Sequence, residues 1–313
     1  MSMSRARVLN IIAWLILCFI WGTTWIFIKI GLEDLPPITF AVARFVLGVL
    51  IIFVIIRVQK IPLPKTAKEW RLIALTGVLQ FSINYSMVFW SEQYITSGLA
   101  AVLQAMITVF GLALAWIFLP NESITRIKVF AVCLGIVGVG VIFYDQLKVQ
   151  SFMAFMGCVG VVVGSYAAAQ ASILIKAKGG SFHPASLVFG QMICGLPAII
   201  VYSLAVEGNP LSFHWTWRAI ICVFYLTIFG TIAAFWLYYW LLNRIESTKA
   251  MMISLVTPLL AVVIGWIVLG ETLPPQTGLG GLLIIGSIWL IVARRGRFSP
   301  QRRGNAEEVT PVG

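Results

Sequence analysis

The sequence predicts an all-α integral membrane protein with ten transmembrane helices, arranged as two inverted repeats of five helices. Three observations lead to this fold class. Hydrophobic residues make up 60% of the 313 residues and charged residues only 11%, whereas a soluble globular protein carries about 25% charged residues. The apolar residues form ten long runs, and short motifs recur about 150 residues apart. A water-soluble fold is nearly excluded, because too few polar side chains are present to cover its surface.

The ten runs have the length of membrane spans. A helix that crosses about 30 Å of hydrocarbon needs about 20 mostly apolar residues, and each run is bounded by charges, prolines or amide-rich gaps. The loops and tails take up about a third of the chain, which leaves no room for a sizeable soluble domain. The predicted spans are Leu9 to Ile30, Pro37 to Ile56, Trp70 to Trp90, Ile95 to Leu119, Val129 to Tyr144, Phe152 to Ile175, Pro184 to Val206, Trp217 to Leu242, Thr248 to Leu269 and Thr277 to Val292.

These spans divide the chain into four parts. Residues 1–8 are a cytoplasmic N-terminus, residues 9–145 the first repeat, residues 150–293 the second, inverted repeat, and residues 294–313 a basic cytoplasmic tail that we expect to be disordered. The first apolar run is too long for the core of a signal peptide and has no small-residue cleavage site, so we interpret it as an uncleaved span. All five cysteines lie within apolar runs, which favours packing over a disulfide framework.

The basic residues fix the orientation. A net charge of +11 would suggest nucleic acid if the 22 Lys and Arg residues formed one face, but nearly all of them lie in gaps between the spans. Counted over alternate loops, 18 fall on one side and at most 3, Lys29, Lys148 and Arg218, on the other. Because basic loops stay in the cytoplasm, we expect a multi-pass inner (plasma) membrane protein with both termini cytoplasmic.

Weak internal similarity indicates a duplication. Ser97-Gly98-Leu99-Ala100 aligns with Ser247-Thr248-Lys249-Ala250 at a spacing of 150, and Pro37 and Arg44 align with Pro184 and Gln191 at a spacing of 147. Five spans in each half make the second half enter the membrane from the opposite side. Inverted repeats are a feature of many secondary transporters and of some channels.

Two sets of motifs also carry a family resemblance. Phe19-Ile20-Trp21-Gly22-Thr23-Thr24-Trp25, Leu35-Pro36-Pro37 and Ala43-Arg44-Phe45 resemble the first two helices of EamA-type proteins of the drug/metabolite transporter superfamily. Val256-Thr257-Pro258-Leu259-Leu260 and Leu269-Gly270-Glu271-Thr272-Leu273 resemble its other signature. The resemblance covers residues 8 to 294 and implies two EamA-like repeats, in which spans one to four and six to nine surround a cavity and spans five and ten brace it. The first repeat departs from the pattern, with Thr108 where the second has Pro258.

Two basic residues are candidates for the cavity. Arg44 lies inside the second span, where a guanidinium costs at least ~2.5 kcal/mol, so we expect it to face the bundle interior. It either holds neighbouring helices, binds an anionic group of a substrate, or snorkels toward a loop. Lys29 lies near the outer end of the first span and either reaches the lipid headgroups or lies on the wall of the outward opening, as the family resemblance implies.

The remaining candidates are mostly neutral. A cavity lined by amides, hydroxyls and rings suits a small amphipathic metabolite, although the same groups also bond across helices. Pro258 in the ninth span is a candidate for a gating or static kink. The other cavity candidates are Trp21, Thr24, Asn84, Gln104, Tyr166, Gln170, Trp236 and Tyr239.

The sequence lacks the motifs of several kinds of chemistry. It has no Gly-x-x-x-x-Gly-Lys phosphate loop and no His, Cys and carboxylate cluster with metal-ligand spacing. We therefore expect no enzyme activity, no catalytic residue, no metal and no other cofactor. No Asp or Glu lies clearly within a span, so the usual proton-coupling groups are absent; uniport, exchange and coupling through an interfacial Glu stay open.

Together these features predict a secondary transporter that exports small metabolites, such as amino acids or related amphipathic compounds, by alternating access. Its expected partners are a small-molecule substrate and the lipid bilayer, with no nucleic acid, and a homodimer is compatible with the sequence. The alternatives are a channel-like facilitator and a multidrug or quaternary-amine exporter of the same superfamily. A membrane-embedded enzyme or sensor would need a catalytic cluster or a soluble module, and we find neither.

Overall fold

The computed structural model describes residues 3–95, 97–144, 151–180, 182–269 and 275–293. The described residues form helices and connecting turns, with no strand among them. Helical segments that follow one another without a loop share one label here. The bounds are α1 Met3–Gly31, α2 Pro37–Val58, α3 Ala67–Gly77 with Val78–Asn84 and Tyr85–Ser91, α4 Ser97–Gln104 with Met106–Phe118, α5 Arg126–Ile142, α6 Phe152–Lys178, α7 Pro184–Val206, α8 Trp217–Thr227 with Ile228–Ala233 and Ala234–Leu242, α9 Ser247–Met251 with Ile253–Leu269, and α10 Gln276–Ala293.

Helices coincide with all the predicted spans in position. Seven of the described helices, α1, α2, α3, α6, α7, α8 and most of α9, are long and apolar enough to cross a membrane. The other predicted spans coincide with α4, which is interrupted at Ala105, and with α5 and α10, of 17 and 18 residues. The structure therefore supports a multi-pass helical membrane protein, while the full count of ten spans stays a prediction. The tail at 294–313 and the Gly270-to-Leu273 part of the second motif lie outside the described residues.

Capping residues explain where the helices differ from the predicted limits. The α3 helix begins at Ala67 rather than at Trp70, because the Thr66 hydroxyl accepts from the Glu69 N–H at 3.2 Å and the Glu69 carboxylate accepts from the Thr66 N–H at 2.8 Å. Similarly, α5 begins at Arg126 rather than at Val129, since the Thr125 hydroxyl accepts from the Lys128 N–H. Hydropathy alone does not register these polar first turns.

Two stretches of π-helix interrupt otherwise regular helices. They cover Val78–Asn84 in α3 and Ile228–Ala233 in α8, so their first residues lie 150 positions apart. Helices α4 and α9 are interrupted at Ala105 and Met252, 147 positions apart. The interruption of α9 precedes Pro258, through which the helix continues. Since Ser97 aligns with Ser247, Ala105 corresponds to Leu255, and the two interruptions lie three positions apart in the alignment. The first half has no proline at the position of Pro258, so an interruption in this helix does not require the proline.

The largest core cluster joins α1, α2, α3, α6, α7, α8 and α9. Aromatic rings lie at its centre. Phe81 packs edge-on against Phe45, with 5.2 Å between ring centroids, and its ring is tilted against that of Phe235 at 5.1 Å. Helices α5 and α10 pair closely with each other, because Gly138 and Gly280 leave room for the opposite backbone. This second unit has its own core and packs beside α9.

Candidate functional site

Arg44 of α2 lies in the protein interior, as the sequence predicts. Its side chain is 3% exposed. Nε donates to the Thr231 hydroxyl at 2.6 Å, and Nη2 donates to the Gly230 carbonyl at 3.0 Å. The guanidinium also lies 5.5 Å from the ring centroids of Phe45 and of Tyr85. Arg44 thus connects α2 to the π-helical turn of α8 and lies against a ring of α3.

The π-helical turn of α8 also receives α1. The Gly230 carbonyl accepts a second hydrogen bond from the Trp21 indole N–H at 3.3 Å, because a π-helical turn leaves a carbonyl available for side chains. Thr24, one turn further along α1, is 7% exposed, and its methyl group would lie 2.8 Å from a Cβ on Gly230. Trp21, Thr24 and Arg44 therefore meet at one point, which sequence reasoning did not connect to α8.

Gln191 of α7 occupies the corresponding position in the second half. It is fully buried, and its amide donates to the Thr76 hydroxyl at 2.8 Å while its oxygen accepts from the Tyr239 hydroxyl at 2.6 Å. Tyr239 is 1% exposed. Tyr239, one of the predicted cavity candidates, therefore lies in the contact between α7 and α8, with its hydroxyl bonded to Gln191.

A second polar group joins α3, α4 and α6. Gln104 donates to the Asn84 side-chain oxygen at 3.3 Å, and the Ser165 hydroxyl lies 3.2 Å from the Leu103 carbonyl and 3.4 Å from the Gln104 oxygen. Gly164 allows α6 to approach Asn84, since a Cβ there would lie 3.2 Å from the Asn84 side-chain oxygen. The structure therefore brings together Asn84 and Gln104, two of the cavity candidates from the sequence.

The remaining candidates lie apart from these two groups. Tyr166 of α6 is 42% exposed and packs edge-on against Phe110 at 5.5 Å. Gln170 is partly buried one turn further on. Trp236 packs edge-on against His183 at 5.2 Å, at the start of α7. Lys29 is exposed near the end of α1, which is the position the sequence predicts for it.

An ionic cluster at one end of the bundle joins the two halves, and the sequence did not predict it. The Glu122 carboxylate, after α4, accepts from the Ser247 N–H at 2.9 Å and from its hydroxyl at 2.6 Å at the start of α9. Lys176 of α6 lies 3.9 Å from Glu122 and donates to the carbonyls of Leu242 and Ile245, the latter at 2.7 Å. We call Glu122, Lys176 and Ser247 the inner-end cluster, because the predicted topology places it at the cytoplasmic side.

A sequence signal for this cluster exists. Lys29 and Lys176 each precede by eight residues the proline at which the next helix begins, Pro37 and Pro184. Lys176 is one of the 18 basic residues on the predicted cytoplasmic side. The close match of the two positions shows that it holds an equivalent place in the duplicated chain.

Acidic groups also lie at the opposite end. The Glu207 carboxylate, just after α7, accepts from the N–H groups of Ile38 and Thr39 at 2.8 and 2.6 Å and so caps α2. Between α1 and α2, hydrogen bonds from Arg218 and Thr216 lower the pKa of Asp34 to about 2. Burial raises the pKa of Glu92, which follows α3, to about 7. The described residues contain no group of three or more His, Cys, Asp or Glu that could hold a metal ion.

The sequence is similar to a family of membrane transporters. The sequence profile of the EamA-like transporter family matches the chain twice, at residues 8–144 and 155–293. The uncharacterised transporter YoaV of Bacillus subtilis is 26% identical over 271 residues, which cover 87% of this chain and 92% of YoaV. The uncharacterised inner membrane transporter YedA of Escherichia coli is 25% identical and covers 88% of each chain.

Two further matches extend over nearly the whole chain. The protein PagO of Salmonella typhimurium is 23% identical over 304 residues, covering 95% of this chain and 97% of PagO. A protein of known crystal structure superposes with a TM-score of 0.76 at 14% identity, over 93% of this chain and 98% of that one. At this identity the superposition supports the fold and nothing finer.

Proposed function

Since the chain belongs to the EamA-like transporter family, we propose that it is a secondary carrier that moves small metabolites, such as amino acids or related amphipathic compounds, out of the cell by alternating access. The family and the relatives named as transporters indicate a multi-pass membrane transporter. The substrate, the direction and the mechanism are the proposal.

The observation that carries the mechanism is a helix contact that occurs twice. In α2, a Cβ on Gly48 would lie 2.6 Å from the Met192 methyl group of α7 and 3.7 Å from the Thr227 methyl group of α8. In α7, a Cβ on Gly195 would lie 2.7 Å from the Gly77 carbonyl of α3. Gly48 and Gly195 are 147 residues apart, and Gly77 and Thr227 are 150 apart. The contact of α2 with α8 is thus repeated by the contact of α7 with α3.

Such duplicated contacts are expected of two related halves of opposite topology. Two halves of this kind can exchange shapes, so that one molecule opens first to one side of the membrane and then to the other. The paired π-helical turns in α3 and α8 support the same relation, and α4 and α9 are each interrupted within their first ten residues. We therefore propose ten spans in two inverted repeats, with both termini cytoplasmic as the basic loops indicate.

The inner-end cluster supports a closed inner side in this state. Glu122 connects the end of α4 to the start of α9, and Lys176 connects α6 to the end of α8. Opening toward the cytoplasm requires these helix ends to separate. A continuous pore has no need for a buried ionic contact across its inner end, so the cluster favours a carrier over a channel-like facilitator.

The neutral side chains in the interior suit a polar solute that also carries apolar groups. Asn84, Gln104 and Ser165 offer amide and hydroxyl groups to a substrate after modest rearrangement of bonds of 3.2 to 3.4 Å. The rings of Trp21, Tyr85 and Phe235 add apolar surface nearby. We expect the substrate to lie between these groups, near the bilayer midplane.

Counterflow in proteoliposomes tests the carrier mechanism. Unlabelled substrate inside the vesicles should accelerate uptake of labelled substrate, because a carrier returns faster when loaded. Equal uptake with empty and loaded vesicles would instead indicate a continuous path and overturn alternating access.

Alanine replacements test the proposed site. Asn84→Ala and Gln104→Ala should each lower transport by about tenfold, since each removes a hydrogen bond that the substrate would use, while the yield of folded protein stays unchanged. Gln93→Ala is the matched control, because Gln93 is an exposed amide in the loop after α3. Unchanged kinetics in both Asn84→Ala and Gln104→Ala would mean that these amides only join helices.

A further inference from the structure

Arg44 is a buried cation whose hydrogen-bond partners are all neutral. Its acceptors are the Thr231 hydroxyl and the Gly230 carbonyl. In the part of the chain that the structure describes, the ion pairs involve other residues, and no carboxylate lies within 4 Å of its guanidinium. A charge taken out of water is costly unless an opposite charge accompanies it. The interior around Arg44 therefore has an excess positive charge.

The second half of the chain shows that the fold does not need this charge. Gln191 holds the corresponding position in α7 and joins helices through a neutral amide, which bonds to Thr76 of α3 and to Tyr239 of α8. Both residues come seven positions after the proline that begins their helix, Pro37 and Pro184. A neutral amide is thus sufficient to brace this helix contact, and the positive charge of Arg44 serves some other purpose.

The position of Arg44 suits contact with a solute. It lies seven residues into α2, roughly 10 Å from the end of the helix, where α1, α3 and α8 converge on it. These helices belong to those we expect to surround the cavity. The Trp21 indole shares the Gly230 carbonyl with Arg44, and Tyr85 presents its ring to the guanidinium. A ligand that reaches Trp21 or Tyr85 is therefore close to the charge.

We propose that Arg44 selects substrates that carry a carboxylate group, by supplying the counter-charge that the protein itself lacks at this depth. The inference rests on the proposed carrier function and names its substrate class. A carboxylate can accept two parallel bonds from a guanidinium, and in a low-dielectric interior a charged pair is far stronger than in water. The same charge repels cations, so quaternary amines are excluded as substrates.

Matched pairs of ligands test the proposal on the detergent-purified protein. The probes are leucine with leucinamide, phenylalanine with phenylalaninamide, and phenylpyruvate, which keeps the carboxylate without the amine. Binding is measured as protection against thermal unfolding over a concentration series. We expect at least one acid to half-saturate at a concentration about tenfold or more below its amide, as the loss of one charge-assisted hydrogen bond implies.

Three variants separate the effect of Arg44 on ligand preference from its effect on the contacts between helices. Arg44→Gln copies the amide found at Gln191; it should fold and bind each acid and its amide within about twofold of each other. Arg44→Lys keeps the charge and should keep the preference for acids, with weaker binding because the forked geometry is lost. Gln191→Met is the structural control, which should lower the melting temperature and leave the preference unchanged.

The outcomes decide whether Arg44 selects substrates that carry a carboxylate or only joins helices. The proposal is overturned if no acid protects the wild-type protein better than its amide, or if Arg44→Gln retains the preference. Should Arg44→Gln fail to fold, the acid-to-amide ratios of the wild type and of Arg44→Lys still decide. Counterflow of amides as fast as acids would overturn this inference and leave the carrier intact, whereas Arg44-dependent binding of acids without counterflow would overturn the carrier alone.

Discussion

Replacement of Glu122 by alanine is the most direct test of the inner-end cluster. The Glu122 side chain is 9% exposed, and its carboxylate accepts from the Ser247 N–H at 2.9 Å and from the Ser247 hydroxyl at 2.6 Å. The first N–H groups of a helix have no partner within the helix, so this carboxylate serves as the cap of α9. It also lies 3.9 Å from the ammonium group of Lys176, whose side chain is 15% exposed.

The expected loss can be worked out from these contacts. Leaving a buried donor unsatisfied costs about 1–3 kcal/mol, and Glu122→Ala leaves the Ser247 N–H without its acceptor and Lys176 without its carboxylate. Breaking a buried ion pair costs about 3–5 kcal/mol, but the long distance to Lys176, together with its bonds to two carbonyls, reduces that share. We expect about 3 kcal/mol in all. At about 2 °C per kcal/mol for a chain of this size, the melting temperature should fall by about 6 °C.

Thermal unfolding of the purified protein in detergent measures this shift. Glu33→Gln is the matched control, because Glu33 also pairs with a basic residue, Arg218 at 2.7 Å, but is 57% exposed, and an exposed ion pair contributes about 0–1 kcal/mol. A double-mutant cycle with Ser247→Ala isolates the pair itself. A shift for Glu122→Ala no larger than that of Glu33→Gln would refute the reasoning that this cluster holds the two halves together.

Two further predictions concern pH and packing. Burial raises the pKa of Glu92 to about 7, so the folded state favours its protonated form. The contribution of Glu92 to stability should therefore be complete below about pH 4.3 and should be lost as the pH rises to about 7. Glu92→Gln should abolish this loss between pH 4.5 and 7.5 in melting curves, and an unchanged slope would contradict it. Gly138→Leu should destabilise the protein by about 1–3 kcal/mol, because a Cβ at position 138 would lie 2.8 Å from the Gly280 carbonyl. Gly140→Leu is the control, since a Cβ at position 140 would have no neighbour within 4 Å. This control should change the melting temperature by no more than about 1 °C.

The sequence predicted the helices well because hydropathy directly reports the length of an apolar run. It also placed Arg44 in the interior, as a charge that lipid would not tolerate. Asn84 and Gln104 are two of the candidates from the sequence, and they are bonded to each other. An interior position could therefore be predicted for Arg44, Asn84 and Gln104, but the helices that they join could not.

The features that sequence reasoning missed have specific physical causes. The π-helical turns in α3 and α8 change only the register of backbone bonds, and the apolar pattern on either side is unaffected. Glu122 and Lys176 fall at the ends of spans, where charge is usual, so hydropathy does not separate them from residues that face water; only the repeated spacing of Lys176 from Pro184 marks it. Pairing of α2 with α8 is a contact between distant segments, which a hydropathy pattern does not encode.

The proposed alternating access would limit how strong the inner-end cluster can be. A contact that stabilises one state by about 3 kcal/mol leaves the opposite state populated below about 1% unless other contacts offset it. Part of the offset comes from the substrate, which must bind the two states with different affinities. The rest requires a contact at the outer end that forms when the inner one breaks. The duplication supplies the residue for it, because Lys29 holds in α1 the place that Lys176 holds in α6, at a spacing of 147 residues. In the proposed inverted arrangement these lysines lie at opposite ends, so either side would close at a similar free energy, and a small difference in substrate affinity would then be sufficient to drive the exchange.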